Sequence, residues 1–70
     1  MNATEIYDRI KKLQESIDKL IDDLTKADVE PWDARKWAQV LMFIMTKLKE
    51  MEFELKRNYV VVIEDGQATD

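Results

Sequence analysis

Apolar residues recur at alternating steps of four and three through two long stretches of this chain, one on each side of its only proline, Pro31. This spacing places apolar side chains along one face of an α-helix. In the first stretch the repeat consists of Ile6, Ile10, Leu13, Ile17, Leu20, Leu24 and Ala27. In the second it consists of Ala34, Trp37, Leu41, Ile44, Leu48, Met51 and Leu55. We therefore expect two helices that pack against each other through these repeats.

The expected limits of the helices follow from local signals. Asn2 with Glu5 three residues later predicts a capping box at the start of the first helix. Pro31 disfavours helix at the residue before it and suits a first helical turn. The connection is therefore short, which makes the helices antiparallel neighbours. The sequence predicts an all-α hairpin with helices at about 4–27 and 32–57, in a single domain over residues 1–66 with a flexible tail at 67–70.

The chain has little chemistry available to it. It contains no cysteine and no histidine, so it has no disulfide, no thiolate ligand and neither the commonest metal ligand nor the commonest base near neutral pH. Its single glycine, Gly66, excludes a glycine-rich phosphate loop. We expect no enzyme activity, no catalytic residues, no metal site and no cofactor.

The middle of the second helix is apolar on every side over residues 40–45. A helix that is apolar all round is buried all round, and one neighbouring helix covers only one side of it. A chain of 70 residues also has a marginal core, and a partner chain is the one common form of support left. We expect two hairpins to form a dimeric four-helix bundle. The residues predicted to mediate self-association are Val40, Met42, Phe43 and Met45.

Two further features are candidates for contact with another protein. One is a β-branched run after the second helix, typical of an extended segment or a strand, or alternatively of the last turns of that helix: Tyr59, Val60, Val61, Val62 and Ile63. It would pair with the same segment of a twin subunit or add to the edge of a partner's sheet. The other is Trp32, which either caps one end of the bundle or anchors a partner.

The net charge of −4 and the pI of about 4.8 disfavour binding to a phosphate backbone or an anionic membrane. The longest apolar run is far shorter than the roughly 20 residues of a membrane span. Residues 1–7 do not resemble a secretory signal. These features predict an intracellular, cytoplasmic protein.

The sequence is typical of a small, acidic, non-enzymatic homodimer that acts through protein contacts as an adaptor or regulator, of the kind that viruses and plasmids encode. Two alternatives remain open. The expected architecture resembles that of small plasmid proteins of the Rop type, helical-hairpin dimers that bind paired RNA loops, and this resemblance implies an RNA-binding regulator. The other alternative is an acidic inhibitor that mimics nucleic acid and occupies a basic groove of its target.

Overall fold

The computed structural model describes residues 1–63, which form two helices packed against each other as an antiparallel hairpin. Helix α1 spans Ala3–Leu24 and helix α2 spans Pro31–Asn58. No residue in this part of the chain forms a strand. The predicted all-helical hairpin is confirmed, with helix ends within three residues of those expected. The end of the predicted domain and its tail, residues 64–70, lie outside the described part.

The helix ends are stabilised as the sequence indicates. The side-chain oxygen of Asn2 accepts a hydrogen bond from the backbone N–H of Glu5, and the Glu5 carboxylate accepts one from the backbone N–H of Asn2, both at 2.9 Å. This confirms the capping box. Helix α2 begins at Pro31, and Lys56 and Arg57 in its last turn complement the negative end of the helix dipole.

The contact between the helices is centred on Ile10 and Ile17 of α1 and Met45 and Leu48 of α2. Partly buried Ile21, Leu41 and Leu55 pack against this cluster. No side chain in residues 1–63 is completely buried, and even the best-covered ones retain 6% to 9% of their exposure. The hairpin therefore has a core only one layer of side chains thick.

On α1, the prediction of which residues face α2 is wrong at every second position of the repeat. Tyr7 and Gln14 are buried together with Ile10 and Ile17, whereas Ile6, Leu13 and Leu20 are exposed. Ala27 lies beyond the end of the helix and is also exposed.

On α2, as on α1, the buried positions are shifted by one residue towards the C-terminus relative to the prediction. Met45 is buried in place of Ile44, and Glu52 is half-buried in place of Met51. Each helix carries apolar residues on two adjacent stripes, and a single neighbour covers only one of them. The positions shared by both stripes, such as Ile17 and Leu48, were assigned correctly.

Among the described residues, no helix combines the length and the mean hydropathy that crossing a membrane requires.

Candidate interaction surface

An uncovered apolar surface runs along one side of the hairpin. Seven large side chains on it are between 38% and 53% exposed. We call this surface the apolar face, and it comprises Ile6, Leu13 and Leu20 of α1 with Trp37, Val40, Ile44 and Met51 of α2. The three α1 residues are separated by seven positions each, and the α2 residues by three, four and seven, so each set forms one stripe along its helix.

The two stripes lie on the same side of the molecule. Leu20 and Leu24 of α1 line a shallow depression together with Trp37, Val40 and Leu41 of α2. Every side chain in that lining is apolar. The depression therefore joins the two stripes in the half of the molecule nearer the loop.

The size of the apolar face is comparable to a protein–protein contact. Helix α1 has 22 residues, so the face is about 30 Å long at 1.5 Å per residue. Two packed helices are about 20 Å broad. The resulting area of roughly 600 Å² approaches the ~800 Å² per partner of a standard stable interface. It is at the upper end of the roughly 300–600 Å² covered by the largest apolar patch of a typical monomer, and patches of this size often mark an interaction site.

The residues predicted to mediate self-association do not form one surface. Met45 belongs to the hairpin core, where it packs with Ile10, Ile17 and Leu48. Val40 is on the apolar face. Met42 is 55% exposed and lies on the flank opposite the apolar face, whereas Phe43 is 63% exposed and lies beside Val40, three residues before it, at the outer border of that face.

Sequence reasoning therefore missed most of the apolar face. Leu13, Leu20, Trp37, Ile44 and Met51 were assigned to the contact within the hairpin. The signal for a second face was the presence of alternative apolar positions beside each repeat, including Tyr7, Ile21 and Met45, which offered the helices another way to pack.

The flank opposite the apolar face combines basic side chains with an exposed aromatic ring. Lys11, Lys49 and Lys56 surround a depression that Glu52 and Phe53 also line. The guanidinium of Arg57 lies 5.3 Å from the centre of the Phe53 ring. We call this surface the basic flank, and it comprises Lys11, Lys49, Phe53, Lys56 and Arg57.

A polar cluster beneath the basic flank joins the two helices. The Glu52 carboxylate, whose side chain is 14% exposed, accepts a hydrogen bond from the buried Gln14 amide at 2.9 Å. The ammonium groups of Lys11 and Lys56 each lie 3.5 Å from a Glu52 oxygen. Burial raises the pKa of Glu52. The Gln14 hydrogen bond and the two lysine charges lower it by more than burial raises it, so the pKa of Glu52 lies below its ordinary value.

The lowered pKa of Glu52 makes part of the stability depend on pH. The ionised carboxylate stabilises the fold above the unfolded pKa near 4.5, and this stabilisation is lost as the pH falls through the lower folded pKa. We expect Glu52→Gln to be less stable than the parent chain at neutral pH and to lose less stability on acidification. Urea unfolding over a pH series measures this difference.

Glu54→Gln is the matched control, because Glu54 is exposed on the same helix. It should follow the parent chain across the pH series. Equal losses of stability in the parent chain and in Glu52→Gln would contradict a stabilising role for the Glu52 cluster.

Residues 59–63, which we call the C-terminal arm, leave α2 at the open end of the hairpin. Tyr59 has extended backbone angles, as predicted, but the arm pairs with no strand in residues 1–63. The backbone N–H of Val62 donates a hydrogen bond to the Thr4 hydroxyl at 3.0 Å. The arm therefore lies beside the start of α1. Val61 is half-buried, and Tyr59, Val60, Val62 and Ile63 are exposed.

Trp32, the other predicted partner contact, lies in the first turn of α2 and is 66% exposed. It is at the loop end of the hairpin, and the C-terminal arm is at the open end. The two candidate contacts therefore do not form a single site.

Within residues 1–63, Asp and Glu side chains do not gather in groups of three or more that would hold a metal ion. The fold and its surfaces define an all-helical hairpin with one uncovered apolar face and one basic flank. No protein-family model, curated protein or solved structure matches the chain.

Proposed function

We propose that this chain is a small, non-enzymatic interaction protein that works as a homodimer, in which two hairpins cover each other's apolar faces to form a four-helix bundle. In this form it acts as an adaptor or regulator through protein contacts. The observation that carries the proposal is the apolar face, seven large side chains of which one hairpin leaves about half exposed.

The apolar face could add as much hydrophobic stabilisation as the core of the hairpin provides. Fully burying one large apolar side chain stabilises a protein by about 1.5–3 kcal/mol. A core in a domain this small supplies only roughly 3–5 kcal/mol in total. Seven half-exposed side chains hold a comparable amount of unused hydrophobic stabilisation. A second copy supplies it without any further chain, because a two-fold axis makes the same face serve both partners.

The thermal stability of the protein tests this proposal. If only the dimer is stably folded, mass action makes the midpoint of thermal unfolding rise with protein concentration. We expect this rise when unfolding is followed by circular dichroism over a hundredfold range of concentration. A midpoint that does not change with concentration would contradict the homodimer.

A second candidate function rests on the basic flank. Dimerisation through the apolar face leaves this flank free, and it presents Lys11, Lys49, Lys56 and Arg57 around the Phe53 ring. Basic side chains beside an aromatic ring are a common way to hold single-stranded RNA. RNA binding requires a gel shift at low salt that weakens steeply as salt is added. Loss of the shift in a Lys49→Glu variant would locate it on this flank, and no shift at low salt would eliminate this function.

A further inference from the structure

The charges of the hairpin are distributed unequally between its two ends. The loop end carries more acidic than basic side chains, namely Asp18, Asp22, Asp23, Asp28, Glu30 and Asp33 against Lys19, Lys26, Arg35 and Lys36. The open end carries more basic side chains among residues 1–63, namely Arg9, Lys11, Lys12, Lys49, Lys56 and Arg57 against Glu5, Asp8, Glu50, Glu52 and Glu54.

The same polarity of charge, acidic towards the loop end and basic towards the open end, is present at the border of the apolar face. Arg9 is four residues before Leu13 and three after Ile6, so it lies in the exposed α1 stripe near the open end. Asp23 follows Leu20 by three residues and lies in that stripe near the loop end. On α2, Asp33 precedes Trp37 by four residues at the loop end, and Lys47 lies between Ile44 and Met51.

From this polarity we infer that the two hairpins of the dimer lie with their loops at opposite ends of the bundle. The inference rests on the proposed homodimer and adds its orientation. With opposed loops, α1 packs antiparallel against the twin's α1, and the acidic part of each helix lies beside the basic part of the other. The apolar face forms the contact, and complementary charges at its border select the orientation.

The opposite orientation brings like charges together. If both loops lay at the same end, α1 would pack against the twin's α2. Asp23 would then approach Asp33 and Glu30 of the twin near the loops, and Arg9 would lie at the end of the bundle away from the twin's Asp23. Like charges facing each other across an interface are unfavourable, and they discriminate against this arrangement.

The large side chains of α2 fit the same orientation. Trp37 and Met51 lie seven residues before and after Ile44. Where two copies of α2 cross antiparallel near Ile44, each Trp37 meets the twin's Met51. Met is flexible and makes favourable contacts with aromatic rings, so it accommodates the indole. With the loops together, this pairing of the two α2 stripes is lost.

Distances between spin labels test the orientation. The chain has no cysteine, so Asp28→Cys and Glu54→Cys each provide one attachment site, near the loop and near the open end respectively. Both side chains are exposed, and circular dichroism checks that each variant remains helical. Electron–electron dipolar spectroscopy then measures the distances within dimers of each variant and within mixed dimers of the two.

Opposed loops place the two labels of a single-variant dimer towards opposite ends of the 44 Å long hairpin, so the distance within each single-variant dimer is longer than the distance within mixed dimers. Short distances in the single-variant dimers and a long one in mixed dimers would overturn the orientation and leave the homodimer intact. The absence of dipolar coupling in all three samples would overturn the homodimer itself, and with it the proposed function.

Discussion

Replacing Ile44 with Glu is expected to convert the dimer into a monomer. Ile44 is near the centre of the apolar face and is 39% exposed in one hairpin, so the substitution places a carboxylate where the twin covers it. An unpaired charge buried in an apolar contact costs about 3–5 kcal/mol, and the two-fold axis places two of them in each dimer. The dimer dissociation constant should therefore rise by at least about 10³-fold.

Size-exclusion chromatography with light scattering measures the effect of Ile44→Glu. The matched control is Met42→Glu, which makes a comparable change two residues away. Met42 is 55% exposed and lies on the flank opposite the apolar face, where a twin bound at that face does not cover it. Met42→Glu should keep the parent mass. Dissociation by Met42→Glu with an intact dimer in Ile44→Glu would show that the contact lies on the other side of α2.

Replacing Ile17 with Ala is expected to cause one of the largest losses of stability among apolar truncations in α1. Ile17 is 7% exposed and packs in the core with Met45 and Leu48. Truncating a buried Ile to Ala costs about 2–5 kcal/mol, and the core of a domain this size supplies only roughly 3–5 kcal/mol. Most of the helical signal should be lost at low urea concentration.

Ile63→Ala is the control for Ile17→Ala, because it makes the same truncation in the exposed C-terminal arm. Its effect should stay within about 0.5 kcal/mol, the usual range for surface substitutions. Both variants are compared by urea unfolding at one protein concentration, since dissociation contributes to the measured stability. Similar losses in the two variants would contradict the location of the core.

The sequence was sufficient to predict the helices because their signals are local. The capping box of Asn2 and Glu5, the position of Pro31 and the two apolar repeats each act over a few residues. Their combination predicts two helices and a short connection, and the hairpin follows from the length of that connection.

The rotation of the helices could not be predicted in the same way. Ile6, Leu13 and Leu20 form as regular a stripe as the residues that face α2, so periodicity does not choose between the stripes. The choice depends on contacts between helices. Gln14 has a polar side chain, yet it is buried, because Glu52 of α2 accepts a hydrogen bond from its amide. A buried polar pair whose hydrogen bond joins two helices cannot be recognised from the sequence pattern of either helix alone.

The same ambiguity explains why the interaction surface was only partly anticipated. Excess apolar residues on α2 correctly indicated that one hairpin leaves apolar surface uncovered. Their concentration over residues 40–45 suggested a local patch, whereas the apolar face extends along both helices. Of the predicted residues, Val40 is on that face and Met45 is in the core.

The molar mass of the unmodified chain at sedimentation equilibrium tests the central claim most directly. We expect a mass twice the 8.3 kDa of one chain over the micromolar concentration range. Moderate salt is used, because the apolar contact persists there although surface charges are screened. A mass of one chain over that whole range would contradict the homodimer, because the apolar face would then remain in water in the folded protein.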